Sequence, residues 1–146
     1  MDRLAGDELE FWHAFKHAAE SVRARVAEDI AAATGLSDPD FGVLTRLADH
    51  AGRLRQNQLA ESMGWHRSRL SHHLTRMEQR GLVERQPADD GVEVLLTEFG
   101  RAEAERARPV HAAAVREHLL APLDKDDVAT VKAALDRLRT VKKPSD

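Results

Sequence analysis

The chain has 146 residues, a net charge of -3, 42% apolar side chains and no cysteine. That length suits one compact domain with its own core, and the missing thiols exclude disulfide staples, thiolate zinc sites, cysteine nucleophiles and thiol-based redox sensing within these residues. No apolar run approaches the roughly 20 residues that span a bilayer, and Met1-Asp2-Arg3-Leu4 leads into an acidic helical pattern instead of a secretion signal. A soluble cytoplasmic protein without a membrane partner is expected.

A first helix is expected to begin with Asp7 as its cap and Glu10 three residues later, a capping-box-like pair. Phe11, Phe15, Val22, Val26 and Ile30 recur at helical spacing, and Gly35 ends the run. Asp38-Pro39 opens a second helix, with Asp38 as cap and Phe41, Leu44 and Leu47 on its buried face. Gly52-Arg53-Leu54 is a break with room for one short strand. A short helix follows from about Gln56 to Met63, stopped by Gly64, and another from about His66 to Arg80, stopped by Gly81.

Leu82-Val83-Glu84-Arg85 reads as a strand, Pro87 to Gly91 as a turn and Val92 to Leu96 as a second strand, which together make a hairpin. Thr97 caps a long alanine-rich helix that Pro109 is expected to kink or interrupt. Pro122 separates it from a last helix with Asp124 as cap, Asp127 at the third position and a Leu123–Val128 staple. The fold class is therefore mainly α with a small β-hairpin. Outer helical regions flank a compact central unit, and the absence of alternating strands and helices argues against a parallel sheet.

The net charge conceals a local excess. From Arg53 to Arg85 there are seven arginines against three glutamates, or +4, which leaves -7 for the remainder. Phosphate backbones are bound by local patches and not by average charge. The same segment holds a helix that ends at a glycine, a tight turn and a second helix, which is a helix-turn-helix. If Leu70, Leu74 and Met77 face inward, then Ser68, His72, Thr75, Arg76 and Gln79 face outward, with Arg69 at the margin and Arg67 and Ser71 flanking the helix start. Each of these side chains can donate a hydrogen bond, which suits base edges and phosphates in a major groove wide enough for a helix.

Gln58-Leu59-Ala60-Glu61, Ser68-Arg69-Leu70-Ser71, Arg76-Met77-Glu78-Gln79-Arg80-Gly81-Leu82-Val83-Glu84-Arg85 and Leu96-Thr97-Glu98-Phe99-Gly100 together resemble the MarR family of transcriptional regulators, over nearly the whole chain. The resemblance implies a single MarR-type domain over 1–146, with a winged helix-turn-helix lobe at 36–97 and dimerisation helices at 7–34 and 98–141. It implies a homodimeric repressor on a palindromic operator of double-stranded DNA, with 66–80 as recognition helix, Pro87–Gly91 as wing tip and a small aromatic or anionic effector. The family's usual wing arginine is missing: Ala88-Asp89-Asp90-Gly91-Val92 offers two carboxylates where phosphates would repel them. Weak wing contact is therefore expected.

Arg69 and Arg76 are the main candidates for base or phosphate contacts, because no acidic residue lies three or four positions from Arg76. Ser68 and His72 share their face, Arg67, Ser71, Arg55 and Arg85 complete the expected DNA-binding set, and His73 is read as a packed histidine. Gln56 and Asn57 either hold a phosphate at a helix start or simply cap it. Trp65 reads as packing over base stacking. His13 and His17 stand four apart, as metal ligands do, but nothing nearby completes a site. Trp12 and His13 serve either dimer packing or a ligand cavity. No nucleophile–base set, phosphate loop or metal constellation points to an enzyme or a cofactor. The competing reading is a protein-interaction module of the same fold that has lost DNA binding.

Overall fold

The computed structural model describes residues 2–140. The order of elements is α1 (Gly6–Thr34), α2 (Asp38–Ala48), β1 (Arg53–Arg55), α3 (Gln56–Met63), α4 (Arg67–Gln79), β2 (Val83–Ala88), β3 (Gly91–Leu96), α5 (Glu98–Val115), a π-helical turn (Arg116–Leu120) and α6 (Lys125–Arg139). No described helix is long and apolar enough to cross a membrane. The residues form two compact units, a central one over 27–111 and a terminal one made of 2–26 with 112–140.

The central unit is built around aliphatic side chains taken from its helices and from two of its three strands. Leu44 and Leu47 of α2, Leu59 of α3, Leu70, Leu74 and Met77 of α4, Val83 of β2 and Val94 of β3 are all fully buried. Their spacing in α4, with His73 also buried, gives that helix one inward stripe. The three strands form an antiparallel sheet in the order β1-β3-β2, with Leu54 opposite Val94 and Arg85 also opposite Val94 on the other side.

Local chemistry sets the boundaries. Gly64 closes α3 in the left-handed conformation at φ 67°, and the Trp65 N–H then donates to the Ala60 carbonyl at 3.0 Å. A residue with a Cβ resists that conformation, so the glycine permits the tight turn into α4. The Thr97 hydroxyl accepts from the Gly100 N–H at 2.9 Å and donates to the Gly81 carbonyl at 2.7 Å, tying the start of α5 to the end of α4. Gly100 lies so near the Leu82 carbonyl that a Cβ there would collide with it.

Four expectations need correction. Helix α1 begins at Gly6, with the Glu8 carboxylate accepting from the Ala5 N–H at 2.7 Å, so Asp7 belongs to the first turn and is not the cap. The cap of α2 is Ser37, not Asp38. Its hydroxyl accepts from the Asp40 N–H at 3.1 Å while Asp40 accepts from the Ser37 N–H at 2.9 Å, a capping box one residue earlier than expected. The hairpin is longer than expected: Pro87 pairs with Val92 and Ala88 with Gly91, leaving only Asp89-Asp90 as the turn. Proline is tolerated there because β2 is an edge strand. Helix α5 runs through Pro109 to Val115 without interruption.

The terminal unit contrasts with this. Its α6 is capped by Asp124, which exchanges hydrogen bonds with Asp127 as the sequence pattern suggests. Yet among its described residues only Val26 and Ala114 are buried apolar side chains. Leu9, Phe11, Trp12 and Phe15 are exposed on α1, and Leu119, Leu120, Val128, Val131, Leu135 and Leu138 on the C-terminal helices.

Candidate nucleic-acid interface

Helix α4 presents three faces. Leu70, His73, Leu74 and Met77 point into the core. Ser71, Thr75 and Glu78 carry the contacts to the hairpin. Ser68, Arg69, His72, Arg76 and Gln79 are exposed, as is Arg67 in the first turn. The side chains of Arg67, Ser68 and His72 have no hydrogen-bond or ion-pair partner among the described residues. Glu78 is the only carboxylate on α4, so this open face carries donors and positive charge without a competing acid.

The arginines are held by different means. The Arg69 guanidinium sits 3.6 Å from the centre of the Trp65 ring, a cation–π stack that leaves its edges open to solvent. Trp65 in turn meets His73 edge-on, with ring centres 5.8 Å apart. Arg76 Nη2 is 3.2 Å from His73 Nδ1. Since a guanidinium can only donate, Nδ1 is the acceptor in that contact; the other ring nitrogen, Nε2, lies 3.0 Å from Asp40 Oδ1. Arg80 Nη1 donates to the other Asp40 oxygen at 2.7 Å.

Asp40 is only 2% exposed. Burial alone would push its carboxyl up, but the contacts from His73 and Arg80, the Ser37 N–H and the Arg80 charge outweigh it and hold the group well below the usual carboxylate range. A carboxylate of α2 thus anchors one end of α4, and through His73 it reaches an arginine of the exposed face. Gly35, Ser37 and Pro39 border the same recess.

Around the other end of α4 the expected residues are also brought together. Gln56 and Asn57 form the first turn of α3, with Asn57 exposed. Gln56 lines a cleft of about 250 Å³ with Ser71, Arg85, Gln86, Pro87 and Val92, and its Oε1 is buried with no hydrogen-bond partner among the described residues. Arg55 Nη1 lies 3.9 Å from Asp90 at the hairpin turn. One of the two wing carboxylates therefore has a basic neighbour within the molecule. Arg85 differs from the rest. Its guanidinium is engaged by Glu78, Ser71 and Thr75, and its side chain is 20% exposed.

Asp40, Glu78 and the Trp65–Arg69 stack were missed as functional residues in the sequence. Two had a readable signal: Ser37 to Asp40 has capping-box spacing, and Trp65 stands four residues before Arg69. The Glu78–Arg85 pair joins a helix to a strand across a turn, and no periodicity predicts it.

A MarR family model matches residues 34–91, which hold α2, α3, α4 and most of the hairpin just described. AbsC, a MarR family transcriptional regulator from Streptomyces coelicolor, is 29% identical, with a TM-score of 0.87 over 95% of this chain and 96% of its own. Sco3205, another MarR family transcriptional regulator from Streptomyces coelicolor, solved in complex with DNA, is 26% identical, with a TM-score of 0.89 over 100% of this chain and 94% of its own. The organohalide-sensing regulator RdhR, solved in its 2,4-dichlorophenol-bound form, shares the fold at 19% identity, with a TM-score of 0.81 over 92% of this chain and 80% of its own. No curated protein matches the chain. Over nearly its whole length the chain is thus similar to MarR family transcriptional regulators and shares their winged-helix fold.

Proposed function

We propose that the chain is a cytoplasmic homodimeric repressor that binds a palindromic operator through α4. The observation that carries this reading is the open face of Ser68, Arg69, His72 and Arg76, donor-rich, exposed and free of acids. Arg69 and Arg76, each steadied by a ring, are assigned to base edges or the nearest phosphates. Arg67, Ser68 and His72 extend that contact, while Arg55, Gln56, Asn57 and Ser71 face the flanking backbone. A twofold dimer would set two such helices in major-groove segments about one turn, roughly 34 Å, apart, and a palindrome would mirror it.

The terminal unit supports the dimer. Its exposed residues include a groove of about 210 Å³ lined by Leu119, Leu120, Leu123, Val128, Val131 and Leu135. Each large apolar side chain withdrawn from water contributes about 1.5–3 kcal/mol, so a second copy covering this face has a clear driving force. A small aromatic or anionic effector, by analogy with the dichlorophenol bound by RdhR, would release the operator.

The test is selection of bound duplexes from a random pool, followed by salt titration of the selected site. The expected result is a two-fold symmetric sequence whose affinity falls steeply with salt. The acidic turn Asp89-Asp90 favours one competing reading, a protein-interaction module without DNA binding. A monomer that enriches no sequence and shows no salt-dependent binding would establish that reading instead.

A further inference from the structure

Ser71, Thr75 and Glu78 stand four and three residues apart, so they form one stripe along two turns of α4. Arg85 of β2 spans this stripe. Its Nε donates to Glu78 Oε1 at 2.7 Å, and Nη2 lies 2.6 Å from the same oxygen. Nη2 also donates to the Thr75 hydroxyl at 2.7 Å, and Nη1 reaches the Ser71 hydroxyl at 3.3 Å and its carbonyl at 3.4 Å. Thr75 is itself held, donating to the Ser71 carbonyl at 3.0 Å. A planar guanidinium gripping a helix at three points resists both sliding and rotation of the strand against it, which a single ion pair does not.

The geometry points to Arg85 and Glu78 as positioning residues for operator binding: they fix the angle between the hairpin and the recognition helix, and Arg85 acts through α4 instead of through a phosphate. Three features favour this role. All three nitrogens of Arg85 are already engaged, its charge is balanced by Glu78, and β2 has only β3 as a strand neighbour. The hairpin is otherwise joined to α4 by the Gly81-Leu82 turn and the buried Val83 and Val94 at its base, none of which fixes the outer part of β2 by a directional contact. A phosphate ligand would instead present an unpaired fork to solvent, as Arg67 does.

The inference rests on α4 being the DNA-reading helix, and the sign of one substitution separates it from simple charge contact. Glu78→Gln keeps the shape and removes the charge. If Arg85 were a phosphate ligand, freeing it would raise operator affinity and steepen the slope of log affinity against log salt by about 0.9. As a positioning pair, Glu78→Gln should lower affinity about 5–30-fold with an unchanged slope, the size expected for losing a charge-assisted contact. Arg85→Lys keeps the charge but not the fork, and should lose a similar amount. The exchange of both residues, Glu78→Arg with Arg85→Glu, should recover most of it.

Amide hydrogen exchange on the free protein gives a reading that needs no DNA. Glu78→Gln should speed exchange in β2 and β3 while the amides of α2 stay protected. Higher affinity in Glu78→Gln, or unchanged wing exchange, overturns the positioning role and leaves α4 as the reading helix. A wild-type chain that binds no duplex in a salt-dependent way, while the exchange effect is present, overturns the DNA reading and with it any role in operator binding, though the brace itself would stand.

Discussion

Two regions of this molecule use similar amphipathic helices to opposite ends. In the central unit the large aliphatic residues of α2, α3 and α4 are sealed against one another and against the sheet, and what remains outside is charged or hydrogen-bonding. In the terminal unit residues of the same type lie open, with Phe11 75% and Leu138 60% exposed. The difference lies less in composition than in whether the chain supplies a partner for each stripe. Within 27–111 the apolar faces of α2, α3 and α4 meet one another and the sheet, and only Val92 and Phe99 stand exposed among the large apolar side chains described. The faces of 2–26 and 112–140 have too few partners among themselves, which is why a second copy is the occupant proposed for them.

The largest effect is expected where the contrast is sharpest. Leu135→Asp places a charge in the exposed groove of the terminal unit. It should convert a dimer to a monomer in sedimentation and weaken operator binding about 100-fold or more through the loss of linked half-sites, with helix content preserved. A variant that stays dimeric would show that this face is not the interface.

The central unit is next. Asp40→Asn removes the charge that anchors Arg80 and His73, and should cost about 1–3 kcal/mol in denaturant unfolding, reduced because Arg80 is 45% exposed. The pH dependence has a definite sign. The native carboxyl sits below its ordinary 3.8, so its contribution is fully present above that value and is lost as pH falls toward the native pKa. The difference between wild type and Asp40→Asn should therefore be constant from pH 5 upward and shrink in stronger acid; a gap that widens in acid would contradict this.

Substitutions on the open face should leave stability alone and change binding. Arg69→Ala is expected to weaken the operator complex by about 1–3 kcal/mol. If it contacts a guanine, specificity relaxes at one base pair; if it contacts a phosphate, the loss is uniform across sequences. Trp65→Phe, which keeps a smaller stacking face, should give a fraction of that loss. The smallest effect belongs to the wing. Asp89→Ala and Asp90→Ala should each change affinity by less than about 1 kcal/mol, the scale of exposed charges. A large loss from either would show that the acidic turn contributes to binding after all.

Much of the central unit was legible in the sequence because its signals are local. Gly64 and Gly81 mark helix ends through backbone conformation, and Leu70, Leu74 and Met77 mark the inward face through their spacing alone. The misread boundaries were also local, but there two signals competed. Asp38 and Ser37 are both good caps, and the choice fell to Ser37 because Asp40, three residues on, could complete a reciprocal pair. Pro87 looked like part of a turn because the sequence does not say that β2 is an edge strand.

The sequence by itself determined the order of helices and strands, the helix-turn-helix and, Thr75 apart, the residues on the open face of α4; Thr75 is instead taken up by Arg85 of the hairpin. Periodicity and capping act over a few residues, and these features need nothing more. Only the tertiary structure decided which arginines are available. Arg67 has no partner among the described residues, Arg69 lies on Trp65, Arg76 leans on a histidine beside a buried carboxylate, and Arg85 is bound to Glu78, Ser71 and Thr75. In the sequence these are equal positive charges. Their roles separate because a guanidinium's behaviour depends on which donors and acceptors the fold places within about 3 Å of it, and that placement joins residues far apart in the chain, as Asp40 and Arg80 show.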